Sequence, residues 1–146
     1  MTPTVLFLCT GNYYRSRFAE ALFNALTEAA GLAWRAESRG LALSPFNIGP
    51  ISPYVPAALA ARGLGLPGPL AFPRAAVEAD LAAAGVIVAV SDWEHRPLLA
   101  RDFPAWADRV TYWQVEDLGH TSAEAALAAL DREVRRLVDA LADGRI

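Results

Sequence analysis

The sequence predicts an α/β fold of three layers, with a four-stranded parallel sheet covered by helices on both faces. Two short apolar runs, at 4–8 and 86–90, have the length and composition of strands buried on both sides. Helical stretches with one apolar face alternate with the strand segments, and right-handed crossovers then bring the loops after the strands to one edge of the sheet. The 146 residues show no internal repeat, low-complexity tract or linker, so the chain reads as a single domain, 1–146.

Thr4 to Leu8 form the first strand. The next segment, Cys9 to Arg15, contains Gly11 and Asn12 and cannot continue it. Helical spacing follows, with Phe18, Leu22 and Leu26 four apart and Ala21, Ala25 and Ala29 beside them, until Gly31 supplies a C-cap. A second strand is predicted around 33–37. The Ser-, Gly-, Pro- and Asn-rich stretch 38–56 reads as an ordered surface loop leading into a helix near 54–62. A short helix is predicted at 74–84, the clearest strand at 86–90, and a helix to about Asp102 whose start is blurred by Pro97. A fourth strand is expected at 109–113. Thr121-x-x-Glu124 has the form of a capping box for the last helix, whose face carries Leu127, Leu130, Val134, Leu137, Val138 and Leu141.

The formal net charge of -3 gives no reason to expect nucleic acid or a membrane surface as partner. All thirteen basic residues are Arg. No apolar stretch approaches the roughly 20 residues that span a bilayer, and the N-terminus lacks the pattern of a signal peptide, so the cytoplasm is the expected location. The single cysteine, Cys9, has no internal disulfide partner, and a thiolate zinc site would need further ligands, so no metal or cofactor is expected. His95 and His120 lie far apart and read as surface residues. Trp34, Trp93, Trp106 and Trp113 read as packing residues.

The chemistry concentrates between Val5 and Ser16. A thiol closes a buried strand, a tight loop with Gly11 and Asn12 follows, and Arg15 opens a helix. A phosphate dianion needs many donors at once. Successive backbone N–H groups curling into a helix N-terminus supply them, and the helix dipole adds positive potential. Gly11 and Asn12 are the residue types that best tolerate the left-handed angles of such a curl. Arg15 offers a bidentate, permanently charged fork. Thiols in such fields ionise well below the ordinary value of about 8.5, which would make Cys9 a nucleophile, and Ser16 stands where it can hydrogen-bond the sulfur. A lone cysteine at a strand end is more often a small buried hydrophobe, but the ordered combination of strand, Cys, Gly-Asn, Arg-Ser and amphipathic helix favours the functional reading.

The run Phe7 to Ser16 resembles the signature of the low-molecular-weight protein tyrosine phosphatases. Trp34 to Ser38, the Gly49-Pro50 loop, the strand 86–90 with Ser91-Asp92, and Trp113 to Asp117 extend the resemblance over nearly the whole chain. The resemblance implies a sheet of order 2-1-3-4. It also implies a cysteine-dependent, metal-independent phosphomonoester hydrolase acting through a phosphocysteine on Cys9. Arg15 would bind the phosphoryl group, Asn12 would hold the loop, Ser16 would assist the thiolate and Ser38 would support the loop. Thr10, Gly11, Asn12, Tyr13 and Tyr14 would contact substrate. The general acid maps to Asp117; Glu116 and Asp92 are rivals, with Asp92 better suited to supporting the loop or a helix start. A phosphorylated protein or small aryl phosphate is the expected substrate, with phosphotyrosine preferred, and inorganic phosphate or sulfate would fit the loop. Alternatives are phosphoarginine hydrolysis, arsenate reduction with an external thiol, and a phosphate- or phosphopeptide-binding module without turnover.

The sequence departs from the family pattern in four places. Tyr14 stands where a second Cys is usual, which leaves Cys9 exposed to over-oxidation. Arg17 replaces a Pro and would strengthen the anion field. Asp117-Leu118 replaces Asp-Pro, which suggests a looser acid loop. Gly119 and His120 replace aromatic residues that wall the cleft, a wall that Tyr13 would supply instead; in relatives that act on phosphoarginine a small Thr takes that position.

Overall fold

The computed structural model describes residues 2–66 and 68–146. Its four strands, β1 (Thr4–Cys9), β2 (Arg35–Gly40), β3 (Val86–Ala89) and β4 (Thr111–Tyr112), form one parallel sheet in the order β2-β1-β3-β4. β1 is central, which explains its uninterrupted apolar sequence. Successive side chains of a strand point to opposite faces. Val5, Phe7 and Cys9 accordingly join one apolar cluster, and Leu6 and Leu8 join another.

The first cluster is completed by α1 (Arg15–Ala30), through Phe18, Leu22 and Phe23, and by α5 (Ala123–Ala142), through Leu127, Leu130, Val134 and Leu141. The second is closed by Leu81 of α3 (Glu78–Ala83) and Leu99 of α4 (Asp92–Asp102). The short α2 (Tyr54–Ala60) adds Val55 and Leu59 to the first side. Gly31 ends α1 at φ +69°, with the Leu32 N–H donating to Thr27 O at 2.9 Å. Among the described residues no helix is long and apolar enough to cross a membrane.

Several boundaries differ from the sequence expectation, each for a local reason. β2 lies at 35–40 rather than 33–37 because it pairs with β1 from Thr4↔Arg35 to Cys9↔Gly40. Gly40 ends it where the chain allows no side chain: a Cβ there would lie 2.8 Å from Thr10 O. Residues 74–76 do not start a helix because they pair with Gly40, which donates to Arg74 O and accepts from the Ala76 N–H. β4 is only two residues long, but Trp113 and Val115 continue the ladder by donating to Ala89 O and Val90 O. The N-cap of α5 is Ser122, not Thr121, with its hydroxyl accepting from the Ala125 N–H at 3.1 Å.

Candidate active site

Cys9 ends β1 and Arg15 is the first residue of α1, so the five residues between them must turn a strand into a helix. The carbonyls of Cys9, Thr10, Asn12, Tyr13 and Tyr14 are committed away from the loop's centre. Cys9 O and Thr10 O accept from the N–H groups of Leu41 and Ala42. Asn12 O accepts from Arg17, Tyr13 O from the Ser52 N–H and Tyr14 O from the Phe18 N–H. In a trans peptide the next N–H points opposite to the carbonyl. The N–H groups of Thr10, Gly11, Tyr13, Tyr14 and Arg15 therefore turn to the other side, toward the cleft.

Asn12 makes the bend, at φ +50°. Gly11 does not adopt a left-handed conformation, so the expectation that both residues would do so is corrected. The Asn12 side chain is almost wholly buried and fastens the bend from behind: Nδ2 donates to Ser16 Oγ and Ser38 Oγ, each at 2.9 Å, and Oδ1 accepts from the Arg74 N–H at 2.9 Å. Arg17 also lies behind the loop. It donates to Asn12 O, Pro50 O and Ala71 O at 2.7–3.2 Å, so its charge braces the loop and does not face the anion site as the sequence suggested.

The cleft in front encloses about 350 Å³ and is lined by Cys9, Thr10, Gly11, Tyr13, Tyr14, Arg15 and Asp117, with Ser52 and Leu118 at its wall. Cys9 Sγ lies 2.9 Å from Ser16 Oγ, a hydrogen bond that suits an ionised sulfur or a departing thiolate. Arg15 is 2 % exposed. Its Nη1 donates to Val115 O at 3.0 Å and its Nη2 to Glu94 Oε2 at 2.6 Å, while Asp117 Oδ2 stands 3.5 Å from Nη2. Burial alone would lower the Arg15 pKa; the contact with Glu94 and the charges of Cys9 and Asp117 raise it further than burial lowers it. Burial and the Asp117 charge push the Tyr14 phenol up to about 12. Tyr14, in the position of the missing thiol, is buried and ties the loop to the start of α5 by donating to Ala123 O at 3.2 Å.

Asp117 is the carboxylate with access to the cleft, its side chain 45 % exposed. Its turn is ordered without the proline. Oδ1 accepts from the Leu118 N–H at 2.8 Å, and its carbonyl accepts from the N–H groups of His120 and Thr121. Gly119, at φ +97°, completes the turn. Asp92 sits in the first turn of α4, paired with Arg96 at 2.7 Å, away from the cleft lining.

Two residues of this neighbourhood escaped the sequence reading. His95 is fully buried, not a surface residue; Nδ1 accepts from the Ser91 N–H at 3.1 Å, so Nε2 carries the proton, 3.0 Å from Thr10 Oγ1. Glu94 receives hydrogen bonds from Thr10, Arg15 and His95. Burial pushes its carboxyl up, but these three donors and the Arg15 charge outweigh that and hold it well below the usual carboxylate range. Glu94 therefore carries no proton at neutral pH and cannot serve as the acid. Trp93 is largely exposed rather than packed inside, and it meets His120 edge to face at 5.6 Å.

A parallel α/β sheet whose first strand delivers a thiol into an amide-lined loop closed by arginine defines a phosphate-handling protein. The family model for low molecular weight phosphotyrosine protein phosphatase matches residues 4–143. The chain belongs to that family and is a phosphatase. It is 31% identical over 106 residues to the protein-arginine-phosphatase of Bacillus subtilis (strain 168), covering 73% of this chain and 67% of that protein. The low molecular weight protein tyrosine phosphatase of T. tengcongensis is 29% identical, with a TM-score of 0.75 over 97% of this chain and 99% of that one. YfkJ from Bacillus subtilis superposes with a TM-score of 0.83 at 24% identity, over 100% and 98% of the two chains.

Proposed function

We propose that the chain hydrolyses a phosphomonoester in two steps through a phosphocysteine. The Cys9 thiolate attacks phosphorus in line with the leaving oxygen. The P–O bond breaks, and the Asp117 carboxyl gives its proton to that oxygen. Water then attacks the phosphocysteine, Asp117 takes back a proton, and Cys9 departs as a thiolate with the Ser16 hydroxyl beside it. The inward amides of Thr10, Gly11, Tyr13, Tyr14 and Arg15 and the Arg15 guanidinium stabilise the charge of the equatorial oxygens throughout. The observation that carries this reading is the convergence of Cys9, Arg15 and Asp117 on one cleft, with Ser16 Oγ 2.9 Å from the sulfur. A lone reactive thiol suits the reducing conditions of the cytoplasm.

Phosphotyrosine in proteins is the preferred substrate. Tyr13 lines the cleft, and its hydroxyl donates to Ile48 O at 2.6 Å, which holds the ring as a fixed wall for an aryl group. Exposed Ile48, whose carbonyl takes that hydrogen bond, and Leu118, at the cleft wall, add apolar surface. Phosphoarginine is the second reading, favoured by the identity to a protein named for that activity. Matched peptides carrying phosphotyrosine or phosphoarginine separate the two, with kcat/KM higher for the aryl ester and Tyr13→Thr shifting the ratio toward phosphoarginine. Loss of all turnover in Cys9→Ser, with phosphate binding retained, is expected of the catalytic reading; undiminished turnover in that variant refutes it.

A further inference from the structure

Glu94 touches the phosphate loop at both ends. Its Oε2 accepts from the hydroxyl of Thr10, the loop's first residue, and from Nη2 of Arg15, where the loop enters α1, at 2.6 Å. The same oxygen lies 3.1 Å from His95 Nε2. His95 is locked in turn, because Ser91 donates its N–H to Nδ1 and the ring has no exposure to solvent. Three donors thus fix one carboxylate oxygen, and that oxygen fixes the guanidinium.

Arginine has five N–H donors. With one N–H of Nη1 committed to Val115 O and one of Nη2 to Glu94, the remaining N–H groups are left for a ligand in a set orientation. The charge balance changes as well. A carboxylate at 2.6 Å cancels most of the guanidinium's field at a distance, so the amides and the helix dipole carry a larger share of the attraction for phosphate.

We propose that Glu94 is a positioning residue that holds the Arg15 guanidinium and offsets its charge, so that phosphate meets an arginine already oriented by, and partly neutralised by, an internal anion. This rests on Arg15 being the phosphoryl ligand. It gives the loop fixed geometry without the tight retention of product that an uncompensated buried arginine would bring. The depressed carboxyl of Glu94 agrees with a pair that stays ionised.

The test compares Glu94→Gln and Glu94→Asp with the wild type, with inorganic phosphate as the probe, titrated calorimetrically and as an inhibitor of aryl phosphate turnover. Glu94→Gln keeps an acceptor in the same place and removes only the charge. It is expected to bind phosphate on the order of tenfold more tightly, with KM falling in parallel, while its unfolding temperature drops. A purely structural role moves stability and affinity down together, so equal or weaker phosphate binding in Glu94→Gln overturns the proposal. Glu94→Asp keeps the charge but is one methylene shorter and releases Arg15. It should bind phosphate at least about threefold more weakly, and unchanged or tighter binding overturns the proposal even if Glu94→Gln does not fold. Calorimetry needs no turnover, so an inactive protein that still binds phosphate refutes the catalytic reading and leaves this test standing.

Discussion

Replacing Asn12 by alanine tests the support of the loop. Three hydrogen bonds end on its buried side chain, from Nδ2 to Ser16 and Ser38 and to Oδ1 from the Arg74 N–H. Each contributes about 1 kcal/mol net. The backbone at φ +50° adds about 1 kcal/mol, because alanine lacks the tolerance of asparagine for left-handed angles. Asn12→Ala should therefore lose about 4 kcal/mol of unfolding free energy, read from urea titrations followed by tryptophan fluorescence. Ser38→Ala should lose about 1–2 kcal/mol, and the double variant should fall short of additivity by about 1 kcal/mol, since the Asn12–Ser38 bond is counted in both. Because the amides move with the bend, kcat/KM for an aryl phosphate should drop about 10²-fold in Asn12→Ala. A loss below about 2 kcal/mol, or strict additivity with Ser38→Ala, would refute the assignment of this network as the loop's fastening.

Three further outcomes are expected. Asp117→Asn should lower kcat by about 10²–10⁴ for phosphates with poor leaving groups and far less for p-nitrophenyl phosphate; a uniform effect across leaving groups in steady-state assays would remove Asp117 as the acid. Glu20 and Glu94 should act in opposite senses with pH. Burial raises the Glu20 carboxyl above its ordinary value, against the Ser38 hydroxyl and the nearby arginines, so ionising it costs stability as pH rises through and above the ordinary carboxylate range. Glu94 is depressed, so its contribution is present at neutral pH and is lost on acidification. Glu20→Gln should match or exceed the wild type at pH 7 with the gain vanishing in acid, whereas Glu94→Gln should be less stable at pH 7 with the gap closing in acid, both read from urea midpoints. Arg17→Met should cost about 2–4 kcal/mol, because three carbonyls lose a charged donor.

The parts of this protein that are local in sequence were legible there. β1 and β3 are covered on both faces, so their sequences are continuously apolar, and the segment from Cys9 to Ser16 carries its chemistry in consecutive residues. β2 was harder to place because Arg35-Ala-Glu-Ser-Arg-Gly40 is a polar edge strand that starts with alternating exposure and ends buried; only its pairing with β1 sets its limits. The meeting of Glu94 and His95 with the loop was not predicted from the sequence. Glu94 meets Arg15 across 79 residues and Thr10 across 84, and His95 meets Thr10 across 85. A signal was nonetheless present. Ser91-x-x-Glu94 has the form of a capping box after a strand, and the cap forms through Ser91, whose hydroxyl accepts from the Glu94 N–H at 3.3 Å. The glutamate side chain is directed to Arg15, a choice that only the tertiary arrangement decides.

The brace that Arg17 forms behind the loop also gives the turn a one-way character. A single peptide plane, between Asn12 and Tyr13, can in principle rotate and present oxygen where an anion expects hydrogen. With Arg17 Nη1 held 3.2 Å from Asn12 O, such a flip would tear a carbonyl from a buried cation and aim it at the sulfur. Arg17 therefore holds one oxygen of the turn from behind while Arg15 stands on the side of its hydrogens, and the cradle has its handedness before any ligand arrives.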